Sequence, residues 1–218
     1  MIVASALKDE EGRKRAQLKK QMLNKPPLGR LIKQAQLQRT DETFFEERVT
    51  LTRNIACSLA HLLEWASEVS IEKLLYIAHF HDILLINNPK LARIQTLGEM
   101  EQRAAEFTKD EQMLFHDHPQ LVSEIIANDP TSTSDVENIV LQHHELPNKA
   151  GFPGAIGTAH IVPFAALINV STDFAQFILK DANWQIEAYL KEARQRSLRG
   201  GIFTKIMQAL QFSSKSLR

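Results

Sequence analysis

The residues best able to do chemistry are histidines, and they come in pairs. His143 and His144 stand next to each other at the end of the apolar run Ile139-Val140-Leu141, and Gly151-Phe152-Pro153 follows seven residues after His144. Neutral imidazole is the commonest metal ligand in proteins, and two neighbouring rings entering one pocket are hard to explain as packing. Six of the eight histidines fall in tight groups, at 79/81, 116/118 and 143/144. Taken singly, His61, His79, His116 and His160 read as satisfied core or surface residues. The set His81, Asp82, His118, His143 and His144 reads as a metal site. Mixed imidazole and carboxylate ligands suit iron, manganese, zinc or nickel better than calcium or magnesium, which prefer all-oxygen shells. A carboxylate has two oxygens, so Asp82 could bridge two ions where an imidazole serves one. Two ions about 3.5–4 Å apart stabilise both the attacking and the leaving oxygen of a phosphoester displacement.

These groups need helices to carry them. Phe44, Phe45, Val49, Leu51, Ile55, Leu59, Leu62 and Leu63 recur at helical spacing and predict a helix over 41–66. A second helix is expected to open at Ser70 and run, apolar nearly all round, to Asn87-Asn88-Pro89, with His79, His81 and Asp82 inside it. Residues 90–107 read as a polar excursion with some helical character. Thr108-Lys-Asp-Glu111 is a capping-box pattern opening the helix that carries His116 and His118, and Ser134-Asp-Val-Glu137 reads as a second box opening the helix to His143. An apolar helix over 161–179, interrupted by Asp173, and helices near 183–196 and 201–211 complete the chain. Sustained two-residue alternation and hairpin signals are lacking, so the expected fold is all-α, a multi-helix bundle with a central metal site.

At 218 residues and 44% hydrophobic content the chain can bury a sizeable core. Its charges sum to zero, yet residues 1–40 hold ten Lys/Arg against three Asp/Glu. That contrast divides the chain into a basic helical extension or connector, 1–40, and a metal-binding domain, 41–218. No aromatic residues interleave the basic charges, so a nucleic-acid polymer is not an expected partner. The single cysteine, Cys57, implies no disulfide, and no apolar run has the length of a membrane span. A cytoplasmic protein is expected, with its oligomeric state left open.

His81-Asp82, His118-Pro119, HHELPNKAGFP at 143 to 153 and a later apolar helix with an aspartate resemble, in that order, the HD-GYP branch of the HD phosphohydrolase superfamily. The resemblance covers about residues 45–212. It implies a helical HD-domain bundle, a mono-, di- or trinuclear iron or manganese site with two or three ions expected here, and hydrolysis of the bacterial messenger cyclic di-GMP or a related phosphoester. Position by position it implies His81, Asp82, His118, His143 and His144 as ligands, with Asp82 also taking part in proton transfer. The last ligand of the family is an aspartate; a gapless alignment puts Thr172 there, and Asp173, one residue on, is the expected ligand. A third ion would use Glu47, although Leu51 replaces the histidine that should accompany it.

The departures fall on the substrate side. Leu84-Leu85 stand where the family has a Gly-Lys pair, and leucine cannot neutralise a phosphate. Phe152 replaces the tyrosine of the GYP motif, while Leu146, Asn148 and Lys149 replace an arginine, an aspartate and a glycine. Lys149, Phe152, Arg93 and Lys90 are the candidates for substrate contact. Two functions follow from this pattern. One is a metal-dependent cyclic-dinucleotide phosphodiesterase; the alternative is a degenerate signalling module that binds metal, nucleotide or, through the 146–157 loop, a protein partner without hydrolysis.

Overall fold

Helix α1, Phe44–Leu62, buries Leu51, Ile55 and Leu59 on one stripe and Phe44, Phe45 and Arg48 on another, with Glu46 and Glu47 in its first turn where the helix dipole favours acid. In the computed structural model, which describes residues 13–14, 16–24, 43–130, 132–195 and 198–214, α1 lies at the centre of the molecule. Helix α2, Glu68–Phe80, is capped by Ser67, whose hydroxyl accepts from the Ser70 backbone N–H at 3.1 Å. It starts earlier and ends sooner than its apolar pattern predicts. His81 is its C-cap, Asp82 leaves helical geometry at φ −116° and ψ 19°, and Ile83–Leu85 form a single 3-10 turn. The sequence expectation of a helix through Leu85 is therefore corrected, because the buried ion pairs of Asp82 and the packing of Leu85 draw the chain away from the helix axis.

The segment 90–107 is not mainly a polar excursion. It holds 3-10 turns at Leu91–Arg93 and Ala104–Glu106 and a short helix α3, Leu97–Gln102, and it buries Leu91, Ala92, Ile94, Met100 and Phe107. Helix α4, Lys109–Ala127, opens with both halves of the expected capping box: Thr108 Oγ1 accepts from Glu111 N–H, and the Glu111 carboxylate accepts from Thr108 N–H. Helix α5, Val136–Leu141, lacks the second expected box. Asp135 caps it in the left-handed conformation at φ 74° with its carboxylate turned to Lys73, 2.5 Å away. Helices α6 (Pro163–Lys180), α7 (Ile186–Gln195) and α8 (Gly201–Ser214) follow. Proline at the start of α6 fits the one turn where its missing N–H is harmless.

Two apolar cores result. The larger joins α1, α2, α5, α6, α7 and α8 through residues such as Leu51, Ile55, Leu74, Val140, Ile168, Phe174 and Phe203. The smaller gathers Phe44, Phe45, Val49, Leu85, Leu91, Ile94, Phe115 and Phe152. Among the described residues the only β feature is an isolated antiparallel bridge between Asn148 and Gly157, so the fold is all-α as expected. Of the basic stretch 1–40, the described helical residues 16–23 dock on the bundle: Met22 is buried, His61 Nε2 lies 2.7 Å from its carbonyl oxygen, and Lys19 pairs with Glu68 at 2.9 Å and Glu72 at 3.2 Å. Residues 1–12, 15 and 25–40 lie outside the described residues. Among the described residues, no helix is long and apolar enough to cross a membrane.

Candidate metal centre

The centre forms where the C-terminus of α2, the middle of α4 and the turn after α5 meet between the two cores. His81, Asp82, His118, His143 and His144 are each at most 5% exposed. The carboxylate of Asp82 is their hub. Its Oδ1 lies 3.0 Å from His118 Nε2, 3.2 Å from His143 Nε2 and 3.9 Å from His144 Nε2, and its Oδ2 lies 3.4 Å from His81 Nε2.

The backbone fixes which imidazole nitrogen carries a proton. His81 Nδ1 sits 3.0 Å from the Ile77 carbonyl, His118 Nδ1 2.7 Å from the Phe115 carbonyl, and His143 Nδ1 2.5 Å from the Val140 carbonyl. A carbonyl can only accept, so each Nδ1 must carry the proton and donate it, leaving a bare lone pair on each Nε2. His118 has its partner for a sequence reason. Pro119 has no N–H, so it cannot donate to the carbonyl of Phe115 four residues back, and the side chain of His118 takes that acceptor instead.

Between these groups the polar arrangement is incomplete without a cation. His118 Nε2 and His143 Nε2 face each other at 3.3 Å with no proton to share, and His144 Nε2 is buried with no hydrogen-bond partner. Ligand atoms of Asp82, His118, His143 and His144 all lie within 4.8 Å of one another. Three imidazole lone pairs and a carboxylate oxygen at this spacing suit a divalent transition metal. The donor set therefore fits a metal ion.

Electrostatics favour the same state. Burial pushes the pKa of His81 down to about 3, against the attraction of Asp82, and burial likewise lowers those of His118 and His144, so these rings stay neutral. Burial opposes ionisation of Asp82, but the positive charge of Arg48 beside Oδ2 outweighs it and holds the carboxyl well below the usual carboxylate range. Neutral imidazoles and an ionised carboxylate are the forms that bind metal.

The other expected residues are placed as follows. Thr172 Oγ1 is 3.3 Å from His81 Nε2, whereas Asp173, on the same helix α6, accepts from Tyr189 O–H at 2.9 Å. Both line a cavity of about 20 Å³ beside His143 and His144, with Gln95 and Asn169 on its wall. That volume holds roughly one water. Glu47 is half-buried and accepts from Thr43 Oγ1 at 3.2 Å, outside the four-residue group, and Leu51 is fully buried in the larger core. Phe152 covers the centre, stacked on His144 with ring centroids 4.4 Å apart and against Phe115 at 5.0 Å. Arg93 lies over the Phe44 ring at 4.2 Å, and Lys90 and Lys149 are exposed. Leu85 is buried in the smaller core, so the position that departs from the Gly-Lys pattern serves packing.

Sequence reasoning missed three residues. Arg48 is 1% exposed, meets Asp82 Oδ2 at 2.6 Å through Nη2 and donates from Nη1 to the Ala92 carbonyl at 2.7 Å. Its place in the sequence, four residues after Phe44 on an apolar stripe, does not by itself show that it is buried. Glu145 accepts from the backbone N–H of Gly154 at 2.6 Å and of Ile156 at 3.0 Å, tying down the loop that holds Phe152. Asn169 donates to the carbonyls of His143 at 2.9 Å and Glu145 at 3.2 Å, fixing the turn after α5 to α6. Thr172, which the gapless alignment singled out, is the neighbour of His81 on α6. At Gly151 a Cβ would sit 2.5 Å from the His144 carbonyl oxygen and the Glu145 Cα, so only glycine lets the loop close on that turn.

A family model described as an HD domain matches residues 21–195, most of the chain. Among solved structures, Bd1817, a HDG"Y"P protein from Bdellovibrio bacteriovorus, aligns with a TM-score of 0.63 at 19% sequence identity, covering 82% of this chain and 55% of that one. The chain thus spans about half the length of that structure. A likeness at this identity is a likeness of fold. No curated protein sequence matches the chain.

Proposed function

This chain belongs to the HD domain family, and from that premise we propose that it is a metal-dependent phosphodiesterase acting on cyclic di-GMP or a related cyclic dinucleotide, with iron or manganese as its metal. The observation that carries the reading is the convergence of the proton-free nitrogens of His118 and His143, the unpartnered Nε2 of His144 and the Asp82 carboxylate in one buried cluster. A divalent ion there supplies Lewis acidity toward a phosphoryl oxygen and acidifies water.

The chain's own groups do the rest. Asp82 stays ionised, and its Oδ1, shared among the three imidazoles, can hold and pass a proton at the centre. Phe152 and Phe115 exclude water, and Glu145 and Asn169 keep His143 and His144 aimed inward. With a cavity of only about 20 Å³ beside the cluster, a dinucleotide enters when the 146–157 loop lifts Phe152 away from His144.

That closure, together with Leu85 packed where the resemblance calls for a phosphate-binding lysine, also favours a second reading: a signalling module that keeps the metal and engages a partner through the 146–157 loop without hydrolysis. Turnover decides between them. Protein reconstituted anaerobically with Fe(II) or Mn(II) is expected to convert cyclic di-GMP to pGpG or GMP, and His143→Ala to abolish it. Metal-replete protein that leaves cyclic di-GMP intact contradicts the first reading for this substrate and supports the second.

A further inference from the structure

We propose that the guanidinium of Arg48 is a built-in cation of the centre, occupying the second oxygen of Asp82 so that the chain takes one divalent ion and not the two or three expected from its sequence. The inference rests on the metal reading above and concerns how many ions the centre accepts.

The Asp82 carboxylate is divided between two surroundings. Oδ1 faces His118, His143 and His144 at 3.0, 3.2 and 3.9 Å. Oδ2 faces Arg48 Nη2 at 2.6 Å, with His81 Nε2 at 3.4 Å. A carboxylate that holds one metal ion on each oxygen needs both of them free, and here only the Oδ1 side offers imidazoles without a competing cation. Arg48 is not a mobile surface charge that could step aside. It is 1% exposed, its Nη1 is anchored to the Ala92 carbonyl at 2.7 Å, and the rings of Phe44 and Phe45 flank it at 5.8 and 5.4 Å.

A guanidinium also cannot discharge itself. A second metal ion at Oδ2 would therefore sit within a few ångströms of the positive charge of Arg48. The remaining groups on that side give such an ion little. Thr172 offers a neutral hydroxyl 3.3 Å from His81 Nε2, Leu51 of α1 offers no donor, and the Asp173 carboxylate is engaged by Tyr189 at 2.9 Å. Before any metal binds, the charge of Asp82 is already balanced by Arg48. A first ion at Oδ1 meets three neutral imidazoles and half of a neutralised carboxylate; a second meets net repulsion.

The test counts ions and asks whether they interact. Purified protein saturated with Mn(II) and freed of excess metal is expected to hold one ion per chain by mass spectrometry of the metal. Its electron paramagnetic resonance spectrum should be the six-line pattern of an isolated ion. Arg48→Gln keeps an N–H donor near Oδ2 but removes the charge, and is expected to lower the Kd for Mn(II) about ten-fold or more. Two ions per wild-type chain, or an exchange-coupled spectrum, overturns the inference while leaving the metal reading intact. An unchanged Kd in folded Arg48→Gln also overturns it. No bound ion in the wild type overturns the metal reading and this inference with it. Should Arg48→Gln fail to fold, the wild-type count and spectrum decide.

Discussion

At the scale of single residues, His118-Pro119 shows how a doublet prepares a ligand. Proline withdraws one backbone donor, the Phe115 carbonyl is left without its helical partner, and His118 Nδ1 donates to it at 2.7 Å, which aims a bare Nε2 at Asp82. Pro119→Ala restores a competing N–H. Because outer partners of metal-binding histidines typically contribute 10–100-fold in affinity, Mn(II) binding should weaken by about ten-fold or more. Thermal stability should hold or rise, since proline inside a helix costs about 3 kcal/mol. A titration and a melt on the same sample check both, and equal affinity would show that the proline serves only the helix. A second expectation concerns pH. His81, His118 and His144 have folded pKa values below their unfolded value of about 6.5. Below that pH the unfolded chain takes up protons that the folded chain refuses, so the stability these three neutral rings contribute to the metal-free protein should be flat above about pH 6.5 and fall from there toward about pH 3. Denaturant midpoints across this range check it; a midpoint that rises on acidification contradicts the burial of neutral rings. Pairing and spacing made the five His and Asp positions of the cluster legible in the sequence. Arg48 was not, because a charge on an apolar stripe looks like an interruption until its buried partner, 34 positions further along the chain, is seen beside it.

At the scale of elements, the loop after α5 carries the closure of the site. Glu145 holds it through two backbone donors, at 2.6 and 3.0 Å, while itself only 1% exposed. Hydrogen bonds to a charged acceptor contribute about 1.5–3 kcal/mol each, so Glu145→Ala should lower unfolding free energy by roughly 2–5 kcal/mol, read as a shift in denaturant midpoint at constant m. A shift below about 1 kcal/mol would mean that the loop is held by Phe152 packing alone. The periodicity of the sequence revealed that these elements exist, yet their ends depended on contacts between distant residues. Helix α2 stops at Phe80 because Asp82 turns inward, and Asp135 abandons the expected capping box for Lys73. The choice between Thr172 and Asp173 was a question of angle. Adjacent helical residues point roughly 100° apart, so only one of them can face His81, and the chain alone does not reveal which.

At the scale of the molecule, the centre lies between two cores, with α1 contributing to both, and the all-α architecture follows from helical periodicity and the lack of strand signals. Docking of Met22 was not legible, since a weakly amphipathic basic segment reads as solvated until its carbonyl is found against His61. Cys57 reports on the integrity of the larger core. It is fully buried, and burial pushes its thiol up to about 12, so a thiol reagent should label it only as the bundle opens, at a rate rising with denaturant. Rapid labelling in buffer would indicate that α1 is not packed as described. The central claim, a metal ion held by Asp82, His118, His143 and His144, is most directly tested by anomalous diffraction at the metal absorption edge from crystals grown with Mn(II) or Fe(II). The expected result is a peak on the Oδ1 side of Asp82, among the Nε2 atoms of His118, His143 and His144. No anomalous peak within the cluster, in protein saturated with either metal, would contradict it.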